Sequence, residues 1–97
     1  MKAVELKEFG QFKVKDVITT MVGAPAAGNK AAEMRQRVRI LDAVEGAKDL
    51  LVLEDADYSL LKDITENFPF AIANKDLLAV LDTIINFKSV PKKDKNG

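Results

Sequence analysis

Apolar residues recur every three or four positions in four segments of the chain, the spacing that places them on one face of an α-helix. The predicted helices cover residues 16–22, 30–44, 54–68 and 74–85. Acidic residues begin the first and third of these helices, and Asn74 is the predicted cap of the fourth. The chain is therefore predicted to be mostly α-helical.

The second and fourth helices have the longest apolar stripes. In the second helix, the predicted buried face consists of Ala31, Met34, Val38, Leu41 and Val44. In the fourth helix, it consists of Leu77, Leu78, Leu81, Ile84 and Ile85. Both stripes are expected to face the core.

Two short segments have the pattern of strands. Four apolar residues alternate with charged ones on either side of Gly10: Val4, Leu6, Phe12 and Val14. This alternation predicts extended chain with a turn, and a strand at residues 12–14. The apolar run Leu50–Leu53 predicts a second strand, and residues 12–14 are its expected partner. The predicted fold class is a small four-helix domain with one short two-stranded β pairing.

Length and composition limit the chain to one domain. Its 97 residues, 47% of them hydrophobic, suffice for one compact core but not for two. Residues 91–97 are charged and lack large apolar side chains, so burial does not offset the entropy cost of ordering them. We therefore expect a single helical domain at residues 1–90, followed by a disordered basic tail.

Charge and residue types restrict the chemistry of the chain. Its 15 Lys and Arg residues balance 15 Asp and Glu residues, so no net field draws it to a polyanion or a membrane surface. It contains no His and no Cys, which excludes Ser-His and Cys-His catalysis and removes the commonest metal ligands. We expect a protein that is not an enzyme and holds no cofactor or metal.

The segment from Gly23 to Lys30 is a near match to a phosphate-binding loop. Leu50 to Asp55 is similar to the acidic strand end that holds magnesium in nucleotide triphosphatases. The loop motif requires Lys directly after its second Gly and then Ser or Thr, but Asn29 follows Gly28, and Ala31 follows the Lys. Nucleotide hydrolysis is therefore only a third alternative, and a helix, a loop and a buried strand account for the same residues.

Five acidic residues lie close together in the sequence: Glu45, Asp49, Glu54, Asp55 and Asp57. A calcium loop requires acids at alternate positions, a central Gly and a terminal Glu, but only Asp55 and Asp57 alternate. The same acids are also candidates for an acid–base pair. Since acidic residues favour the start of a helix, we interpret them as capping the third helix.

The first half of the second helix is basic. Lys30, Arg35, Arg37 and Arg39 could face phosphates, as in helical nucleic-acid-binding proteins. Acidic residues on the same helix dilute this charge. A charged helix face that is exposed to solvent would account for the same residues without a nucleic-acid partner. The alternative function is therefore a small nucleic-acid-binding regulator that uses residues 30–44.

A dense apolar group, Phe68, Pro69 and Phe70 with Ile72, follows the third helix. Phe68 is expected in the core, whereas Phe70 is expected to be exposed. Exposed aromatic residues are suited to anchoring a partner protein. The candidate partner-binding residues are Phe70, Ile72, Arg35, Arg37 and Arg39.

Four stretches between Phe12 and Phe87 follow one another in a characteristic order: FKVKDVI, RQRVRILDAVEGA, LLVLEDADYSLLKDI and FPFAIANKDLLAVLDTIIN. Their order and apolar spacing resemble those of short proteins encoded by tailed bacteriophages. The resemblance implies a phage or prophage origin and a role in virion assembly or in contact with a host protein. It implies no site residues.

The expected function is that of a non-catalytic protein-interaction module. Its partner is expected to be a second copy of the chain, a virion component or a host protein. Residues 1–9 contain no continuous apolar run, so they are predicted to be neither a signal peptide nor a membrane anchor. The absence of Cys fits a reducing compartment. The expected location is the cytoplasm of the host bacterium, with the virion as a second location.

Overall fold

A computed structural model describes residues 1–24, 30–70 and 73–89. The helices of this part are α1 (Val14–Gly23), α2 (Ala31–Gly46), α3 (Asp55–Asn67) and α4 (Lys75–Ile85). Its strands are β1 (Lys2–Glu5), β2 (Glu8–Phe9), β3 (Phe12–Lys13), β4 (Leu50–Leu53) and β5 (Lys88–Ser89). The predicted class, a small and mostly helical four-helix domain, is confirmed. The predicted tail at residues 91–97 lies outside the described residues.

The N-terminal strand β1 is the centre of a three-stranded antiparallel sheet with the order β4-β1-β5. Lys2 pairs with Leu53, and Glu5 pairs with Leu50. The predicted pairing of residues 12–14 with residues 51–53 is therefore wrong. The alternation of apolar and charged residues around Gly10 did not identify β1 as the partner of β4. Ala3 and Val4 are adjacent apolar residues, both buried, and they interrupt the alternation.

The strand predicted at residues 12–14 forms instead a hairpin with its neighbour in sequence. Phe9 pairs with Phe12 and Glu8 with Lys13. Gly10 in the turn has a φ of 61°, a left-handed conformation that favours glycine. A side chain at this position would also overlap the carboxylate of Asp76 in α4. The hairpin therefore lies against the start of α4.

The core lies between the helices and one face of the three-stranded sheet. Helix α1 contacts each of the other three helices. The large side chains that are almost completely buried come from α1 to α4, β1 and β4: Val4, Val14, Ile18, Met21, Val22, Ile40, Val44, Leu51, Leu61, Val80 and Ile84. Burial of these side chains from distant segments supplies most of the driving force for folding.

Of the five residues predicted on the buried face of α4, two are buried, two are half-buried and one is exposed. Leu77 and Ile84 are buried, and Val80, which the predicted stripe did not include, is buried completely. Leu78 is the exception, because 56% of it is exposed. Asn74 caps the helix as predicted, and its Oδ1 accepts hydrogen bonds from the backbone N–H groups of Asp76 at 2.7 Å and Leu77 at 3.2 Å.

Helix α2 is rotated away from its predicted face. Met34 is 54% exposed and Val38 is 49% exposed, whereas Ile40 and Val44 are buried. Ala31 is also exposed, so the prediction is wrong for Ala31, Met34 and Val38. Since α2 contacts α1 on one side and α3 on another, the residues that meet these helices decide its orientation.

Candidate protein-interaction site

The residues Phe68, Pro69 and Phe70 connect α3 to the segment before α4. Helix α3 ends at Asn67, close to the predicted end, because Pro69 disfavours helical conformation in the residue before it. The rings of Phe68 and Phe70 lie 4.9 Å apart between centroids and are tilted by 53°. Both side chains are half-buried, so Phe70 is less exposed and Phe68 more exposed than the sequence indicated.

A groove with a volume of about 310 Å³ lies beside these two rings. Its apolar lining comes from the hairpin, α1, the segment after α3 and α4: Phe12, Val17, Met21, Phe68, Phe70 and Leu77. Its polar lining includes Lys13 and Asp16, which have opposite charges. The groove is thus an apolar concave surface with charged groups beside it. We name it the aromatic groove.

The apolar surface continues beyond the aromatic groove. A second depression of about 410 Å³ shares Met21 and Phe68 with it and is also lined by Ile64 and Pro69. The exposed side chain of Leu78 lies in a further depression that Phe70 also lines. Apolar depressions therefore surround the Phe68 and Phe70 pair on several sides.

The start of α4 places Leu77 in the groove. Because the cap formed by Asn74 fixes the first turn of the helix, Leu77 lies buried against the groove while Asp76 lies beside Gly10 of the hairpin. Sequence analysis identified Phe70 but not Phe12, Met21 or Leu77. Each of these three was apolar in the sequence, but no local pattern indicates that they line one groove.

Arg39 forms a bidentate ion pair with Asp57 at the start of α3. Its Nε lies 3.1 Å from Oδ2 and its Nη2 lies 3.0 Å from Oδ1. Gln36 Nε2 donates a further hydrogen bond to the same carboxylate at 3.3 Å. The hydrogen bonds from Arg39 lower the pKa of Asp57 against the opposing effect of burial, and they raise the pKa of Arg39. Arg39 therefore holds α2 against α3.

Arg37 holds the other side of α2 against α1. Its Nε donates to Glu33 Oε2 at 3.0 Å, and its Nη1 donates to the backbone carbonyl of Val22 at 2.9 Å. Only 13% of the Arg37 side chain is exposed. The carbonyl of Val22 lies near the end of α1, where carbonyl groups lack partners within the helix.

The five candidate partner-binding residues therefore do not form one surface. Arg35, Arg37 and Arg39 are separated by two positions each, which places successive members about 200° apart around the helix. In the described residues Arg35 is exposed without an ion pair, whereas Arg37 and Arg39 bind other parts of the chain. Ile72 lies outside the described residues. Phe70 is the member that lines the aromatic groove.

Two of the five clustered acidic residues form ion pairs within the chain. Asp57 binds Arg39, and Asp55 lies 3.2 Å from the N-terminal ammonium group. Both are in the first turn of α3, where negative charge interacts favourably with the helix dipole, although the N-cap residue Glu54 forms no side-chain cap. Within the ranges that the structure describes, there is no group of three metal-ligating side chains. Most of the near-match phosphate loop, residues 25–29, lies outside these ranges.

The searches for related proteins add no function to this geometry. No protein-family model matches the chain, and no significant match was found among curated proteins or solved structures. In the described ranges, each helix is too short or too polar to cross a membrane. Chemically, the aromatic groove offers apolar contact area together with flanking charges, which is suited to binding an apolar group.

Proposed function

We propose that the protein is a non-catalytic interaction module that binds an apolar segment of a partner protein in the aromatic groove. The observation that carries this proposal is the convergence of six apolar side chains from four parts of the fold around a cavity of about 310 Å³. Grooves of this kind accept the apolar face of a helix or single anchoring side chains. Lys13 and Asp16 would orient the bound segment through its charges.

The proposed partner is a virion component or a host protein. Support for this choice comes from the resemblance of the chain to short proteins of tailed bacteriophages. The protein would then act in virion assembly or by binding a host factor. Its location would be the cytoplasm of the host bacterium or the virion.

A nucleic-acid-binding regulator remains the alternative. It would use the basic part of α2, but the guanidinium groups of Arg37 and Arg39 already bind acceptors within the chain. Phosphate binding would have to compete with these bonds. The alternative therefore has less support than the interaction module.

Capture of partners from phage-infected or uninfected bacterial lysates tests the proposal. We expect the wild-type protein to retain a partner that Phe70→Asp loses, because a charge in the groove opposes burial of an apolar segment. Val38→Asp is the matched control, since Val38 is exposed on α2 outside the groove. Circular dichroism of both variants verifies that they are folded.

Two outcomes would contradict the proposal. The first is a partner that binds Phe70→Asp as well as it binds the wild type. The second is binding of DNA or RNA that weakens steeply with salt and disappears when Arg35, Arg37 and Arg39 are all replaced by Gln, which would favour the regulator.

A further inference from the structure

Strand β4 is an edge of the three-stranded sheet, and part of its backbone has no strand partner among the residues that the structure describes. The N–H of Leu6 donates to the carbonyl of Asp49 at 2.9 Å, which continues the register of β1 and β4. In an antiparallel pair, residues that bond to the partner alternate with residues that do not. Leu51 and Leu53 therefore bond to β1, whereas the N–H and C=O groups of Leu50 and Val52 point away from it.

The same two residues also expose apolar side chains. Leu50 is 44% exposed and Val52 is 36% exposed, whereas Leu51 and Leu53 are buried. Sheet edges usually avoid pairing with other chains through a charge, a proline or a bulge on the strand. Strand β4 is short, with four residues, but its sequence, LLVL, contains neither a charge nor a proline, and its register with β1 has no bulge. Its edge therefore offers both open backbone groups and apolar surface at alternate positions.

We propose that β4 pairs with β4 of a second copy of the chain, antiparallel and about a twofold axis at Leu51. This register places Leu50 opposite Val52 of the second copy, and the reverse. The open backbone groups of both residues then bond across the axis, and their side chains cover one another on one face of the sheet. The sheet extends continuously from one copy into the other.

Charge complementarity favours a second copy as the occupant. Lys48 precedes Leu50 by two positions and Glu54 follows Val52 by two positions, and both are exposed. Both residues flank the strand, Lys48 in the bend before β4 and Glu54 directly before α3. The twofold register brings the end that carries Lys48 in each copy next to the end that carries Glu54 in the other, so that opposite charges approach each other at both ends of the paired strands. The strand is thus complementary to its own reverse in its apolar positions, and the charges that flank it have opposite signs at its two ends.

The proposed contact is small. Because it involves four residues of each strand and their flanking charges, it falls in the size range of weak and reversible interfaces. Association should therefore depend on protein concentration. It uses a surface separate from the aromatic groove, so it goes beyond the proposed function and does not depend on it.

The register is tested by reversing the charges at Lys48 and Glu54 and measuring the dissociation constant of the dimer by sedimentation. Lys48→Glu brings two Glu residues next to each other at each end, and Glu54→Lys brings two Lys residues together there. We expect either change to weaken dimerisation by about tenfold, since exposed charge pairs contribute modestly and two pairs reverse their sign. The double variant Lys48→Glu with Glu54→Lys should recover the wild-type dissociation constant. Lys75→Glu, at an exposed position on α4, is the control and should leave it unchanged.

Amide hydrogen exchange tests the pairing independently of these charges. With increasing protein concentration, exchange should slow at Leu50 and Val52, whereas Leu51 and Leu53 should be protected at every concentration. Val52→Lys should abolish both dimerisation and the concentration dependence.

The pairing is refuted by a monomer at the highest soluble concentration, or by a dimer that the double variant fails to restore. A dimer that is lost in Val38→Asp but kept in Val52→Lys would also refute it, because association would then use α2. Phe70→Asp should dimerise normally, so failure of the aromatic groove to bind a partner leaves this test intact.

Discussion

Helices α2 and α4 both have an apolar stripe of five residues in sequence, but α4 exposes one of them and α2 exposes three. Val80 and Ile84 of α4 are completely buried, whereas Met34 and Val38 of α2 are about half exposed. The difference arises from the neighbours of the two helices. Helix α4 contacts α1, α3, β1 and both strands of the hairpin, so elements on several sides cover its apolar residues. Helix α2 contacts α1, α3 and β4, and it binds the two helices through polar side chains beside its buried residues.

The ion pairs on α2 show how this orientation is selected. Arg37 reaches the end of α1 and Arg39 reaches the start of α3. The position of Ile40 around the helix lies between those of the two arginines, so both contacts are compatible with burial of Ile40 and Val44. Turning Met34 and Val38 inwards would break both contacts and expose Ile40. The comparison therefore predicts which residues of α2 matter for stability.

The largest expected effect is the loss of a buried isoleucine from either helix. We expect Ile40→Ala in α2 and Ile84→Ala in α4 each to lower the free energy of unfolding by about 2–5 kcal/mol, because both side chains are completely buried. Urea denaturation monitored by circular dichroism measures both. A loss below about 1 kcal/mol for Ile40→Ala would mean that α2 is not anchored through this face.

The next effect concerns the polar contact between α2 and α3. Asp57→Ala should cost roughly 1–3 kcal/mol, because it removes a buried acceptor of hydrogen bonds from Arg39 and Gln36. Asp63→Ala in the same helix is the control, since Asp63 is exposed and should change stability little. Equal effects of the two substitutions would show that the ion pair does not orient α2.

The contribution of Asp57 should depend on pH. Its pKa in the folded protein is lower than its ordinary value of 3.8, mainly because Arg39 donates hydrogen bonds to it. The ionised form therefore stabilises the fold above pH 3.8, and this stabilisation is lost as the pH falls through the lower, folded-state pKa. The difference in unfolding free energy between the wild type and Asp57→Asn should be largest near neutral pH and decline in acid. A difference that grows on acidification would contradict this assignment.

A smaller effect distinguishes the N-termini of the two helices. Asn74→Ala should destabilise the protein by about 1 kcal/mol, because it removes a cap that accepts two backbone hydrogen bonds. Lys30 occupies the same position in α2 and forms no side-chain cap. Lys30→Asp should therefore stabilise the protein by about 0.5–1 kcal/mol. Thermal denaturation of both variants measures the contrast, and destabilisation by Lys30→Asp would contradict it.

The smallest effect is expected at the exposed stripe of α2. Val38→Ala should change the unfolding free energy by less than about 0.5 kcal/mol, because the side chain is half exposed. Val44→Ala in the same helix is the matched control and should cost about 2 kcal/mol, since two buried methyl groups are lost. Equal losses at the two positions would support the face predicted from the sequence.

The sequence shows directly that the chain lacks His and Cys, but it predicts only part of the candidate site. The absence of His and Cys favours binding over catalysis, and Phe70 is a candidate because it belongs to a dense apolar group after the third helix and is expected to be its exposed aromatic residue. The aromatic groove also requires Phe12 and Met21, which are distant from Phe70 in the sequence. Their proximity depends on how α1 and the hairpin pack, and no pattern within a single element reports that.

The sequence by itself determined the features that depend on neighbouring residues: four helices, their approximate ends, the cap at Asn74 and the strand Leu50–Leu53. These follow from the local spacing of apolar residues and from residues that cap or end helices, which act over a few positions. The tertiary structure decided which strand pairs with β4, which face of α2 is buried and which side chains line the aromatic groove. Each of these depends on the free energy of contacts between residues far apart in the sequence. The pattern within a single element does not determine those contacts.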